Sequence, residues 1–158
     1  MKAGFSKYYN LFVEGVGFIG KVEDFKEPDV KSKKGESPMG YKVDIGIPEA
    51  MEAEVTLHSI NKVLFDSMQK MDEAKIVIKE VVLENGKNIT INHTMTGPME
   101  FEADTTKVAE GKKVKVKLYP QRYTREQDGE EVAFVDVTVP IFRLNGTDIV
   151  EEVRNAVS

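Results

Sequence analysis

The amino-acid sequence predicts a mainly β protein of the α+β class, a small antiparallel β-barrel or sandwich with one flanking helix and a short C-terminal helix. Two observations support this prediction. Apolar and polar residues alternate over short runs, which is the period of a half-buried strand. Gly and Asn-Gly turn signals separate these runs, as they do in hairpins. The chain has 158 residues, 41% of them hydrophobic, which suits one domain, residues 1–158, with a core of its own.

The predicted strands follow one another with short connections. Asn85-Gly86 lies between two alternating runs and is the strongest hairpin signal, and Asp128-Gly129 is a second one. The segment 51–57 alternates so that its Met, Ala, Val and Leu share one face, which should be buried. The predicted strands are 9–13, 18–22, 51–57, 76–83, 89–95, 99–104 and 113–118, with 125–126 leading through the second turn into 132–139.

Two segments have a helical period instead. Ser59 can cap a helix that ends near Met71. Near the end of the chain, Asn145-Gly146 forms a turn, and Asp148 with Glu151 resembles a helix start. The apolar stripes of the two predicted helices are Ile60, Val63, Leu64, Met68 and Met71 in the first, and Ile149, Val153 and Val157 in the second. Such stripes pack on a sheet or on a neighbouring subunit.

Residues 23–42 do not fit the pattern of a compact domain. They are mostly charged, and they contain Pro28, Gly35, Pro38 and Gly40. Their few apolar residues are too sparse to form a core. Loops longer than about 12–15 residues are uncommon in small domains and are usually functional or disordered. We interpret this segment either as a surface loop or as an arm that becomes ordered against another chain.

Composition excludes several classes of function. The chain has no Cys, which excludes thiol catalysis, disulfides and Cys-based zinc sites. A net charge of -5 is the wrong sign for general binding to nucleic acid. No stretch approaches 18 apolar residues and residues 1–10 lack an apolar core, so we expect neither a membrane anchor nor a signal peptide. We expect a product that works or assembles in the cytoplasm.

The sequence contains no recognisable catalytic constellation. His58 and His93 lack the spacing of metal ligands, so a satisfied or solvent-facing histidine is expected at each position. Residues 15–20 spell G-x-G-x-x-G, but no helix or βαβ unit is predicted after them, so a dinucleotide site is not expected. The numerous carboxylates are expected to form solvated faces. The prediction is therefore a protein that is not an enzyme and binds no cofactor or metal.

The polar faces of three predicted strands have a marked charge pattern. Glu52 and Glu54 share one face, Glu100, Glu102 and Asp104 share another, and Lys113, Lys115 and Lys117 line the strand that returns. Two interpretations stay open. In the first, the charges pair across neighbouring strands, and each pair stabilises the sheet by about a few tenths of a kcal/mol. Alternatively, the sheet face with Glu52 and Glu54 lines an aqueous channel.

Four segments follow a family pattern in the expected order over nearly the whole length. They are residues 11–15 with Gly20, residues 28–33 with 43–47, residues 52–57, and the Asn-Gly-Thr-Asp ending within 145–157. Together they resemble the major tail tube proteins of contractile-tailed, P2-like phages and of R-type bacteriocins. The sequence departs from that pattern in the arm, where its Gly and Met positions are displaced by a residue or two, and in residues 104–111.

The resemblance implies a structural virion protein whose six-membered rings stack into the inner tube of a contractile tail, through which double-stranded DNA passes into the host. It also implies a fold similar to the type VI secretion tube protein. The implied partners are other copies of the chain and the tail sheath, tape-measure, baseplate and tail-terminator proteins, in a virion assembled in the host cytoplasm. The alternatives are a type VI secretion-like tube ring, and a small β-barrel enzyme or binding module.

Two sets of site residues follow from the resemblance and the charge pattern. The arm residues expected to contact other subunits are Pro28, Lys31, Lys33, Lys34, Pro38, Met39 and Tyr41. The candidates for the wall of the channel are Glu52, Glu54, Glu100 and Glu102. An acidic wall would repel phosphate and let DNA pass without binding.

Overall fold

The computed structural model consists of antiparallel β-strands and describes residues 5–13, 17–57, 75–103, 108–109 and 113–148. Within these residues the strands are β1 (Phe5–Val13), β2 (Gly17–Lys26), β3 (Ser32–Glu36), β4 (Lys42–Pro48), β5 (Ala53–Leu57), β6 (Lys75–Glu84), β7 (Lys87–Thr96), β8 (Met99–Ala103), β9 (Val114–Leu118), β10 (Arg122–Gln127), β11 (Glu130–Asp136), β12 (Ile141–Leu144) and β13 (Thr147–Asp148). The prediction of a mainly β protein is confirmed. The described part contains no helix long and apolar enough to cross a membrane.

Most strands belong to one large sheet. Its order is β13-β12-β11-β10-β7-β6-β1-β2-β5-β9-β8, while β3 and β4 pair with each other in a separate two-stranded sheet. β2 is the strand that connects the two parts of the large sheet, because it pairs with β1 on one side and with β5 on the other. Since Gly17 and Gly20 of the G-x-G-x-x-G motif lie within β2, the motif lacks the helix that a dinucleotide site would need.

Alternation along the strands builds a single hydrophobic core. In β5 and β9 every second side chain is buried, and the inward face of β5 includes Val55 and Leu57, as predicted. These side chains pack in one cluster with Ile76, Ile78 and Met95 of the other part of the sheet. The two parts of the sheet therefore bury their apolar faces against each other.

Three two-residue turns set the register of the hairpins. Asn85-Gly86, Asp128-Gly129 and Asn145-Gly146 have positive φ at both positions, between 48° and 84°. This is the conformation of a type I′ turn, which matches the twist of the flanking strands and favours Asn, Asp and Gly. The first two were predicted as hairpin turns. The third joins β12 to β13, a short hairpin that the sequence did not reveal.

Other predictions differ from the structure in their boundaries. The predicted strand 132–139 ends at Asp136, because Asp136 Oδ1 accepts hydrogen bonds from Thr138 N at 2.9 Å, Thr138 Oγ1 at 2.6 Å and Val139 N at 3.1 Å. These bonds stabilise a turn and divert the backbone from the ladder. The predicted helices at 59–71 and 149–157 lie outside the described residues, as do His58 and Asp104.

The segment 23–42 is not a surface loop throughout, because it contains the end of β2 and all of β3. Its role as an arm between subunits stays a prediction. β2 continues to Lys26, because Phe25 packs against the core cluster, as does Val30 a few residues later. The chain then forms a hairpin of β3 and β4, in which Glu36 pairs with Lys42 and Ser32 with Pro48. Residues 32–48 are called the β3–β4 hairpin below.

Candidate functional site

The β3–β4 hairpin exposes a row of apolar side chains. Its members lie at alternate positions along β4 and at its tip, and their exposed fractions are 87% for Met39, 60% for Tyr41, 45% for Val43, 44% for Ile45 and 37% for Ile47. Gly35 pairs with Val43 and has no side chain to cover them; a Cβ placed there would lie 3.1 Å from Ile45 Cγ2. We call these five residues the apolar hairpin face. Exposed apolar patches of this kind mark interaction sites.

The turn at the end of this hairpin is fixed by local hydrogen bonds. Ser37 N donates to Tyr41 O at 2.9 Å, and Gly40 N donates to Ser37 O at 2.9 Å. Met39 N donates to Ser37 Oγ at 3.2 Å. Gly40 has φ of 88°, a left-handed conformation that suits glycine. The tip therefore presents Met39 and Tyr41 in a preformed turn.

The predicted arm residues divide into an exposed group and one buried member. Lys31, Lys33, Lys34, Pro38, Met39 and Tyr41 are all exposed. Pro28 is buried within the chain, and its assignment as a contact to another subunit stays a prediction. Lys31 Nζ lies 3.8 Å from Asp29 Oδ2 at the base of the hairpin. Lys34 Nζ donates to Ser32 Oγ at 3.4 Å.

A groove of about 420 Å³ lies at the base of the same hairpin. Its apolar lining includes Met51, which is only 3% exposed, and Val137, which packs against the core. Glu49 and Glu52 contribute carboxylates. The two ends of the hairpin thus differ: one projects apolar side chains, and the other borders a concavity.

Gly97 brings together the segments that form one side of the groove. Tyr119 N donates to Pro98 O at 2.9 Å, and Gln121 N donates to Thr96 O at 2.8 Å, so two connections cross in close contact. A Cβ on Gly97 would lie 2.3 Å from Tyr119 O. Because the conflict would be with backbone, only glycine fits this crossing.

The charged face of β5, β9 and β8 consists of acidic strands on either side of a basic one. Lys117 Nζ lies 3.0 Å from Glu102 Oε1 and 3.9 Å from Glu54 Oε1. The hydrogen bond to Glu102 and its charge raise the pKa of Lys117. Tyr119 Oη donates to Glu100 Oε2 at 3.1 Å, and this bond raises the pKa of Tyr119. The structure therefore contains the cross-strand pairs of the first interpretation.

The four channel-wall candidates lie close together at these strands. Glu54 and Glu100 are both opposite Lys117, and Glu102 is opposite Lys115. Glu52 precedes β5 and is exposed. The four glutamates and the three lysines at 113, 115 and 117 give a charge of −4 + 3 = −1 for this set of residues. Their position at a channel stays a prediction.

A polar network of buried side chains joins β6, β7 and β10. Tyr123 Oη and His93 Nδ1 are 2.7 Å apart, and His93 Nε2 lies 3.3 Å from Glu80 Oε1. His93 and Glu80 are 0% and 2% exposed, and burial is the main cause that raises the pKa of Tyr123. The expectation of a satisfied histidine is confirmed for His93. Sequence reasoning missed this network, although His93 has the same parity as the buried Ile91 and Met95 of β7.

The same network contains the described residues that could hold a metal ion. Ligand atoms of Glu27, Glu80 and His93 lie within 4.8 Å of one another. Glu27 Oε2 also accepts a hydrogen bond from Arg125 Nη1 at 2.6 Å. Each of these three side chains therefore already has a polar partner within the protein. Their contacts link β2, β6, β7 and β10.

The fold of the chain is similar to that of a solved protein of very different sequence. It is similar to the sheath/tube terminator of the extracellular contractile injection system PVC in its extended state, with a TM-score of 0.52 and 12% identity over 75% of this chain and 93% of that one. The chain belongs to the phage tail tube protein FII family, whose model matches residues 7–157. The family resemblance drawn from the sequence is thereby confirmed, and the protein is a structural tail tube protein.

Two further structures are similar to the chain. One is the sheath–tube complex of the same injection system, with a TM-score of 0.48 and 11% identity over 75% of this chain and 88% of that one. The other is Hcp1 from Flavobacterium johnsoniae, with a TM-score of 0.46 and 17% identity over 79% of this chain and 98% of that one. No curated protein sequence matches the chain significantly.

Proposed function

We propose that the chain forms six-membered rings that stack into the inner tube of a contractile tail. The observation that carries this proposal is the apolar hairpin face, because five exposed apolar side chains on a projecting hairpin have no role in the core of their own chain. Within the described residues, each hairpin strand also pairs only with the other, which leaves open edges for further pairing. In this proposal the large sheet closes as a barrel or sandwich, and rings form through these surfaces.

The experiment compares two pairs of exposed apolar residues. Val43→Ser/Ile45→Ser changes the hairpin, and Val108→Ser/Val139→Ser changes exposed residues outside it, which are 99% and 52% exposed. We expect rings or tubes of the unaltered protein and of the second variant by negative-stain electron microscopy and mass in solution, with tail fragments added as seeds. The first variant should remain a folded monomer. Tubes of the first variant at full yield would contradict the assigned role of the hairpin.

We further propose that the exposed lysines of the arm, Lys31, Lys33 and Lys34, pair with acidic groups of the next ring, and that Glu52, Glu54, Glu100 and Glu102 face the lumen. Double-stranded DNA is the proposed cargo. The family supports this role, and opposite charge steers two surfaces together while like charge keeps phosphate from binding. The proposed partners are the sheath, tape-measure, baseplate and terminator proteins, in virions assembled in the host cytoplasm.

The lumen assignment is tested by reversing its charge. Glu54→Lys/Glu100→Lys, at two of the lumen candidates, changes the seven charged residues of the face from −1 to −1 + 4 = +3. We expect normal tubes and slowed DNA ejection, because a basic wall binds the phosphate backbone. The control, Glu84→Lys/Glu130→Lys, makes the same change in total charge on other strands. Equal ejection by both variants would remove Glu54 and Glu100 from the lumen.

A further inference from the structure

The tip of the hairpin and the groove at its base have complementary properties. Met39 and Tyr41 project from a hydrogen-bonded turn, so little conformational freedom would be lost when they bind. The groove has an apolar lining that includes Met51 and Val137. Its volume of about 420 Å³ lies within the range of pockets that enclose groups of small-molecule size, about 300–1,000 Å³. It is large enough for a methionine and an aromatic side chain.

A hairpin tip cannot enter the groove of its own chain. Lys31 and Glu49 line the groove, and Met39 is 39 − 31 = 8 residues from Lys31. At about 3.3 Å per residue, an extended strand of that length spans about 26 Å. The pairing of β3 with β4 keeps the hairpin extended, so the tip stays far from the groove. A hairpin tip that occupies the groove must therefore come from another chain.

The charges of the two surfaces favour a second copy of the same chain. The outer part of the hairpin, residues 33–42, contains three lysines (Lys33, Lys34 and Lys42) and one glutamate (Glu36). Its charge is therefore +3 − 1 = +2. The charged residues that line the groove are Lys26, Asp29, Lys31, Glu49 and Glu52, with a charge of +2 − 3 = −1. Each copy therefore has both members of a pair of opposite sign.

We propose that Met39 and Tyr41 of one copy enter the groove at the base of the next copy's hairpin. The proposal rests on the self-assembly proposed above and adds the site at which one copy holds another. The contact is heterologous, because different surfaces of the two copies meet, and such contacts repeat into rings or open filaments. The carboxylates of Glu49 and Glu52 then lie near the lysines of the incoming hairpin.

Disulfide trapping tests this contact directly, since the chain has no cysteine of its own. The variant Met39→Cys/Glu52→Cys has one thiol in the tip and one in the groove. The control, Met39→Cys/Val108→Cys, keeps the thiol in the tip and has its second thiol at position 108, where the side chain is 99% exposed. A disulfide requires Cα atoms within about 7 Å. After oxidation of assembled tubes, we expect a ladder of linked multimers from the first variant and none from the control.

The outcomes separate this proposal from the proposed function. Tubes that form normally but give no ladder would overturn the docking site and leave self-assembly standing. If the unaltered protein forms neither rings nor tubes with seeds present, the proposed function fails and the docking site fails with it.

A second variant covers the case in which the paired cysteines prevent assembly. Gln121→Trp fills the groove and leaves the hairpin unchanged. We expect folded subunits and loss of tubes, and tubes at the yield of the unaltered protein would contradict the docking site.

Discussion

Strands β4 and β5 have the same alternating sequence pattern and opposite environments. In β5, Val55 and Leu57 are 1% and 2% exposed. In β4, Val43 and Ile45 are 45% and 44% exposed, although they also alternate with polar or small residues. The period of a strand determines which residues share a face, but a second layer must be present to cover that face. β5 has that layer in the other part of its own sheet, whereas the apolar side chains of β4 are only partly covered within the described chain.

The comparison has an energetic meaning. Complete burial of a Val or Ile side chain stabilises by about 1.5–3 kcal/mol relative to exposure. In β5 this free energy already contributes to folding. On the apolar hairpin face, where Val43 and Ile45 are 45% and 44% exposed, the part of this free energy that belongs to the exposed surface becomes available only when another surface covers the side chains. The same residue type should therefore contribute more to association in the hairpin than it does in β5.

The largest expected effect comes from truncating isoleucine in the two regions. Ile78 is 0% exposed in β6, and Ile45 is 44% exposed in β4. Ile78→Ala should reduce the free energy of unfolding by about 2–5 kcal/mol, because it removes buried methyl groups and leaves a cavity. Ile45→Ala should change it by less than about 0.5 kcal/mol. Urea unfolding of the monomers measures both, and equal losses would show that the hairpin is part of the folding core.

Removing a tyrosine hydroxyl should have an intermediate effect that again separates the regions. Tyr123 is 1% exposed, and its hydroxyl is bonded to His93 Nδ1 at 2.7 Å. Tyr123→Phe leaves a buried nitrogen without this partner and should destabilise by about 1–3 kcal/mol. Tyr41→Phe, at a residue that is 60% exposed, should leave unfolding unchanged. A Tyr123→Phe protein as stable as the unaltered one would mean that the network does not stabilise the core.

The smallest effect should come from the exposed charge pairs. Lys117→Met removes the contact with Glu102, and the same substitution at Lys33 in the hairpin is its control. The pKa of Lys117 is raised above 10.5, so its folded form holds the proton more tightly. The contribution of Lys117 to the free energy of unfolding is therefore fully present below pH 10.5. It is lost as pH rises through the higher pKa that Lys117 has in the folded protein.

Measuring the free energy of unfolding near neutral pH and well above pH 10.5 tests whether the contribution of Lys117 falls as pH rises. The unaltered protein should exceed Lys117→Met in stability by a small margin that disappears at alkaline pH. The Lys33→Met protein should match the unaltered one at both values. A margin that grows with pH would contradict the assignment.

Local signals in the sequence were sufficient for two hairpins of the large sheet. Asn85-Gly86 and Asp128-Gly129 specify their turns by backbone conformation, so neighbouring residues alone predict them. The β3–β4 hairpin was not predicted because its lysines, glycines and prolines indicate a loop. In the structure, hydrogen bonding between β3 and β4 forms a hairpin despite this composition. The alternation from Tyr41 to Ile47 was the signal that could have shown it.

The groove and the polar network could not be predicted in this way. Pro98, Tyr119 and Val137 are distant in sequence and meet only through the register of the sheet and the crossing at Gly97. The bond between His93 and Tyr123 joins residues thirty positions apart. Long-range pairing of this kind depends on topology, which no local period specifies.

The opposite ends of the β3–β4 hairpin imply that an assembly built through it has a direction. If each tip occupies the groove of the next copy, one terminal layer displays unfilled grooves and the other displays unbound tips. The two termini then require different caps: an initiator that offers grooves or tips, and a terminator that offers the complement. Elongation at the two termini would also proceed through different encounters, so a seed of one kind would start growth in one direction only.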